Sequence, residues 1–221
     1  MAINLQKVTI EKSGDTHSID LTKRDHSTKE IVINLNWSQE KKTKNGGFLS
    51  GLFGGNKDID LDLGVFYELT DGSKNCIDGL QFSKGQGGPR DRKTRQGCYT
   101  YEPWIWHTGD DRGASAGSGE NVIVNPQALD KIKRIIVYCF IYDGVARWAE
   151  TNAVVTIKVP GNPDIEVQMG QQNDHKKFCA IAEILISPTA MQVKKLISFH
   201  NSHGDCDRMY NWGMKWAAGS K

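Results

Sequence analysis

Apolar side chains recur at every second position through much of this chain, as in Ile31, Ile33, Leu35 and Trp37, and that period sets one face of an extended segment against a core. Segments of the same kind are INLQKVTI near the start, DIDLDLGVFYEL from Asp58, CIDGLQF from Cys76, ENVIVN from Glu120 and IKRIIVYCFIY from Ile132. AVVTIKV from Ala153, DIEVQM from Asp164, FCAIAEILI from Phe178 and AMQVKKLIS from Ala190 complete about ten predicted strands. Asp71-Gly72-Ser73 and Pro160-Gly161-Asn162-Pro163 supply turn residues between them. Long 3.6-period stretches between strands are missing, which argues against parallel βαβ units. The pattern therefore predicts an all-β fold, an antiparallel β-sandwich in a single domain over residues 1–221.

Two short helices are predicted. One starts at Asn125-Pro126, a capping residue followed by proline at the first helical position. The other runs from about Asp205 to Ala217, with Asp205 as its cap and with Met209, Trp212 and Trp216 on one face. Three Gly-rich stretches, about 39–57, 83–96 and 108–119, read as long loops of the kind that carry function.

Composition narrows the function classes. With 28 Lys+Arg against 26 Asp+Glu the formal charge is +2, so any charge-driven recognition is local. No uninterrupted apolar run approaches the roughly 20 residues of a membrane span, and the N-terminus lacks a secretory core. Five cysteines, Cys76, Cys98, Cys139, Cys179 and Cys206, are an odd, scattered set without a C-x-x-C pair. A soluble cytoplasmic chain with reduced thiols is expected.

The sharpest chemical feature is Asp58-Ile59-Asp60-Leu61-Asp62, in which carboxylates alternate with aliphatics. On a strand the apolar side chains enter the core and the three carboxylates project from the other face, about 6.5 to 7 Å apart and mutually repelling. A cation would remove that repulsion. An EF-hand loop is excluded, because its sixth and twelfth positions would be Leu63 and Leu69. Further oxygen ligands are available from His107-Thr108-Gly109-Asp110-Asp111, from Glu120 and from Asp143. An all-oxygen set without an adjacent His/Cys cluster points to Ca²⁺ or Mg²⁺ rather than Zn²⁺, and ligand number favours Ca²⁺. The same acids would also serve simply to solubilise an exposed sheet face, and spacing alone leaves both readings open.

These residues resemble a family. DIDLDLGVF looks like the D-F-D-L-D-x-S-A-F signature of the TerD family of tellurium-resistance and stress-response proteins, with Asp58, Asp60 and Asp62 on its aspartates. HTGDD at His107 to Asp111 resembles its H-T-G-D-N, IYD at Ile141 to Asp143 resembles its I-Y-D, and Asn152-Ala153 falls where it carries N-A. Gly64 replaces the usual serine, and RGASAGSGEN after Asp111 keeps Glu120 but few other acids of the corresponding G-E-G-x-G-D-D-E. The insertions and the ending DRMYNWGMKW look more like the TerA branch. The resemblance implies a β-sandwich that binds Ca²⁺ through Asp58, Asp60, Asp62, Asp110, Asp111, Glu120 and Asp143. It further implies a non-enzymatic module that works in a bacterial tellurite-resistance or stress system beside other module proteins and a membrane partner, at the inner face of the membrane.

Other signals point elsewhere. Gly46 to Gly55 holds Phe48, Leu49, Leu52 and Phe53 between Lys41, Lys42, Lys44 and Lys57, a composition suited to a lipid interface, a partner groove or self-packing. It is no P-loop, since Asn56 and Asp58 stand where glycine and Ser/Thr are required. Lys84 to Arg95 is basic and is followed by Tyr99, Tyr101, Trp104 and Trp106, which supports an alternative function as a nucleic-acid or nucleotide-binding accessory protein. The near-zero net charge weighs against it. His200, His203 and Cys206 carry Zn²⁺-type donors without an evident fourth ligand, and no G-x-S-x-G elbow is present.

Overall fold

The period-two segments fold as strands in the computed structural model, which describes residues 6–23, 29–37, 59–81, 88–109, 119–142, 146–170 and 172–216. In chain order these are β1 (Val8–Ile10), β2 (Thr16–Asp20), β3 (Ile31–Asn36), β4 (Leu61–Leu69), β5 (Lys74–Asp78), β6 (Gly97–Cys98) and β7 (Ile105–His107). There follow β8 (Glu120–Val124), β9 (Ile132–Ile141), β10 (Val154–Lys158), β11 (Ile165–Gln168), β12 (Phe178–Ile186), β13 (Ala190–His200) and one helix, α1 (His203–Tyr210). They form two sheets, ordered β1-β11-β10-β3-β8-β7-β6 and β2-β13-β12-β9-β4-β5. The architecture is the predicted all-β sandwich. Its one departure from antiparallel pairing among the described strands is β1 beside β11, where Val8 faces Ile165 in parallel register.

The inward faces of the two sheets make the main core, with Ile33, Leu35, Leu61, Leu63, Val65, Val155 and Ile157 fully buried. A second cluster covers the outer face of the second sheet: Phe66, Tyr138, Phe140 and Phe178 lie beneath Cys206 of α1 and Trp212. Strand β4 is therefore buried on both faces, and its sequence reads as a nearly continuous apolar run from Leu61 to Leu69. The β4–β5 hairpin closes as the turn residues require. Gly72 adopts φ +88, and the Asp71 carboxylate accepts from the Ser73 amide and hydroxyl at 2.8 and 2.7 Å.

The C-terminal element differs from the expectation. Helix α1 starts earlier, capped by Ser202 rather than Asp205; the Ser202 side chain accepts from the Asp205 amide, and the Asp205 carboxylate accepts from Asn201 N–H at 3.0 Å. It also stops at Tyr210, because Asn211 takes the left-handed conformation at φ 57. Beyond it the buried Asp207 carboxylate gathers the Gly213 and Met214 amides and the Trp216 indole N–H at 2.8 to 2.9 Å. Of the three residues assigned to one stripe, Trp212 is buried while Met209 is 65% exposed and Trp216 37% exposed. The segment docks through Cys206 and Trp212 instead. Asn125 caps the 3-10 turn Pro126–Lys131 as expected. No helix among the described residues is long and apolar enough to cross a membrane.

Candidate functional site: an acidic end of the sandwich

Three candidate segments leave the described structure at one end. Leu61, the first residue of β4, faces Ile141, the last of β9, so Asp60 precedes and Tyr142 follows the same terminal pair of that ladder. Across the sandwich, Leu35 at the end of β3 faces Glu120 at the start of β8, and His107 at the end of β7 faces Val122. The chain between His107 and Glu120, which carries Asp110 and Asp111, thus begins and ends beside the same edge. Its return passes Gly119, at φ +60, where a Cβ would meet the Leu35 carbonyl oxygen at 2.0 Å and no side chain is accommodated.

The geometry here departs from a solubilising surface. Asp62 is 0% exposed, Glu120 1% and His107 0%, whereas carboxylates on a solvated sheet face would be open to water. The alternative reading, acids that solubilise an exposed sheet face, does not hold for Asp62, because β4 has covered neighbours on both of its faces. Glu120 Oε2 accepts the Leu63 N–H at 2.7 Å. His107 Nδ1 accepts from the Gly109 amide at 3.1 Å, so the neutral ring carries its proton on Nε2, which donates to the Leu63 carbonyl at 3.2 Å. The same Nε2 lies 3.7 Å from Glu120 Oε2. His107 is itself held by Gln96, whose carbonyl accepts the His107 amide and whose side chain donates to the His107 carbonyl, both at 3.0 Å.

The acids act together on a neighbour. The Cys139 thiol, directly across from Leu63, is pushed well above its ordinary range, first by burial and then by the negative charges of Asp62 and Glu120. Buried carboxylates at close quarters are stable only with positive or hydrogen-bonding compensation. A hard divalent cation matches the all-oxygen donor set. Asp60, Asp62 and Glu120 are thus brought to one end, while Asp58, Asp110, Asp111 and Asp143 lie outside the described residues. Among the described residues, no group of three or more His, Cys, Asp or Glu is arranged to hold a metal ion.

The remaining candidates resolve differently. The Phe48 to Phe53 segment lies outside the described residues. In the basic stretch Arg90 pairs with Glu30 at 2.6 Å and stacks on Tyr99 at 4.1 Å, and Lys93 pairs with Glu102. The Trp106 indole donates to the Gly88 carbonyl and Trp104 packs on the core, which leaves Tyr101 as the open aromatic of the set. Residues 84–87 of the basic stretch lie outside the described residues; from residue 88 on, these contacts brace Arg90, Lys93 and Trp106 against the protein itself. His200, His203 and Cys206 do not converge on a metal: His200 Nε2 bonds Ser198 Oγ at 2.9 Å and His203 Nε2 bonds Asp78 Oδ2 at 2.9 Å. Asp78 also accepts from the Tyr138 hydroxyl at 2.5 Å, a buried link between β5, β9 and α1 for which the spacing offers no signal. The Cys76 thiol is pushed up to about 12, chiefly by burial and by Asp78.

Fold and site together describe a two-sheet sandwich with two buried acids, Asp62 and Glu120, at one end. Known proteins give the class a family context. The chain is 35% identical over 219 residues to the tellurium resistance protein TerA of Alcaligenes sp., a match covering 99% of this chain and 60% of that protein. It is 31% identical over 108 residues to the tellurium resistance protein TerZ of Serratia marcescens, and 30% identical over 137 residues to the general stress protein 16U of Bacillus subtilis. Those two matches cover 49% and 58% of this chain and 46% and 56% of the relatives. The chain spans about 60% of the TerA relative's length and about half of the others. No protein-family model matches the chain. The likeness to the tellurium resistance protein TerA runs over nearly the whole chain, and those to TerZ and to the general stress protein over about half of it.

Proposed function

We propose that this protein is a Ca²⁺-binding, non-enzymatic module of a tellurite-resistance and stress-response system, in which the ion orders the acidic end for recognition by protein partners. The system follows from relatives named as tellurium resistance and stress proteins, none of them named as an enzyme. The ion is carried by one observation: Asp62 and Glu120 are fully buried at the end of the sandwich from which the chain continues to Asp58, Asp110, Asp111 and Asp143. A divalent cation offsets several such charges at once, and oxygen ligands at this number suit Ca²⁺. Loops fixed by an ion offer a partner a surface that exists only in the loaded state.

Calorimetric titration of the purified chain with Ca²⁺ tests this reading, alongside melting with and without the ion. Ca²⁺ at about 100 times its Kd stabilises by about 2.7 kcal/mol through mass action. Asp62→Asn and Asp60→Asn are expected to weaken binding at least about tenfold, equivalent to 1.4 kcal/mol. A wild-type chain that neither releases heat nor melts higher with Ca²⁺ overturns the reading.

A further inference from the structure

We propose that the outer face of the first sheet carries a binding groove for a neutral, hydroxyl-rich ligand, a short oligosaccharide, held by Asn36, Asn152 and Thr156. The proposal stands independently of the ion reading above.

The groove follows from the alternation of the strands beneath it. Ile33, Leu35, Val155, Ile157, Ile165 and Val167 turn into the core, so Asn34, Asn36, Val154, Thr156 and Glu166 turn outward. Register then aligns the outward residues across the sheet. Thr9 pairs with Glu166, Glu166 with Thr156, Thr156 with Asn34 and Asn34 with Asn121. This single polar row crosses β1, β11, β10, β3 and β8 over about 19 Å at the usual strand spacing. A groove of about 510 Å³ lies over its centre, within the size range of small-molecule sites.

The chemistry of the groove selects its ligand. Its charged side chains pair with one another, Lys7 with Glu166 at 2.6 Å and Lys158 with Asp164 at 3.9 Å, so their formal charges cancel and the groove has no net pull on an anion or a cation. Between these pairs stand Asn36, Asn152 and Thr156, whose side chains bond to no other group among the described residues. A carboxamide presents a donor and an acceptor side by side, and a threonine hydroxyl acts as both from one atom, which matches the adjacent hydroxyls of a sugar ring. Asn152 takes the left-handed conformation at φ 45, one that asparagine tolerates better than most residues, and its side chain is exposed. Val154 and Trp37 also line the groove and offer apolar contact to the C–H face of such a ring.

The test is NMR titration of the isotope-labelled full chain with the neutral sugars maltotriose, cellotriose and chitotriose, each to about 20 mM, which detects a Kd of a few millimolar. At least one of them is expected to shift the amide resonances of Asn36, Asn152, Val154 and Thr156. Thr156→Val removes the hydroxyl with little change of shape, and Asn152→Gly removes the carboxamide while keeping a residue suited to positive φ. Each is expected to weaken binding by about two- to tenfold, the loss of roughly one hydrogen bond, with urea unfolding close to that of wild type. If one variant fails to fold, the other decides. Shifts absent with all three sugars, shifts centred elsewhere on the surface, or folded variants that bind like wild type overturn the proposal. Equal shifts at these residues with inorganic phosphate would make the groove an anion site and overturn it as well.

Discussion

The phenol ring of Tyr138 occupies the space in front of Gly64: a Cβ at position 64 would lie 2.2 Å from Cε2 and 2.4 Å from Cζ of that ring. Gly64 and Tyr138 are direct partners across the β4–β9 ladder, and the ring that covers Gly64 reaches Asp78 with its hydroxyl. A glycine inside a strand commonly marks such a close approach. The glycine that replaces the serine of the related motif is thereby explained by packing. Gly64→Ser is expected to destabilise by about 1–3 kcal/mol through overpacking. Adding Tyr138→Val should recover part of that loss, with a coupling of about 0.5–3 kcal/mol in urea unfolding. A Gly64→Ser chain as stable as wild type would show that the ring is not seated there.

The C-terminal segment offers a contrast between two large apolar residues three positions apart. Trp212 is 3% exposed, 5.7 Å from the Phe66 ring, with the Arg134 guanidinium 4.6 Å and the Lys74 ammonium 5.6 Å from its own. Met209 is 65% exposed. Trp212→Ala should therefore destabilise by about 3–5 kcal/mol, while Met209→Ala should stay within about 0.5 kcal/mol of wild type. Chemical denaturation of both variants decides; equal losses would return both residues to a single buried stripe.

Strands that bury one face or both were legible because burial imposes period two or a continuous apolar run: FCAIAEILI coincides with β12, and IKRIIVYCFI with β9. Strands β2, β6 and β7 were not. THSID carries one buried residue, Ile19, and β6 is two residues long, so both are held by neighbours rather than by their own pattern. The parallel partnership of β1 with β11 depends on chain path, to which local periodicity is blind. In the C-terminal segment a 3.6-period stripe was read through Asn211, whose left-handed conformation ends the helix and turns Trp212 inward. At the acidic end, Asp60, Asp62 and Glu120 are named together by the resemblance to family motifs, spacing alone leaving their role open. Their burial, and the bond from His107 to Leu63, follow from the second layer over β4 and from the short reach of β5, which no local pattern encodes.

His200 makes acid stability a measurable consequence of this packing. Its ring is 3% exposed, bonded through Nε2 to Ser198 Oγ, which is in turn 2.6 Å from the Tyr210 hydroxyl, and it lies edge-on to Phe178. Burial holds its pKa below the ordinary 6.5; Asp205 pulls upward and Lys176 adds to the lowering. Between the depressed folded value and the unfolded one, the unfolded chain binds more protons, so stability rises with pH across that window. On acidification this contribution starts to be lost as pH falls through about 6.5 and levels off below the folded pKa. His200→Gln keeps a side-chain hydrogen bond for Ser198 and removes the titration. Between about pH 7.5 and about pH 5 the variant should therefore lose less stability than wild type in urea unfolding. The His200 imidazole resonance of the native chain should titrate with a midpoint below 6.5. A midpoint above that value, or equal losses in variant and wild type, would mean that protonated His200 is accommodated beneath α1.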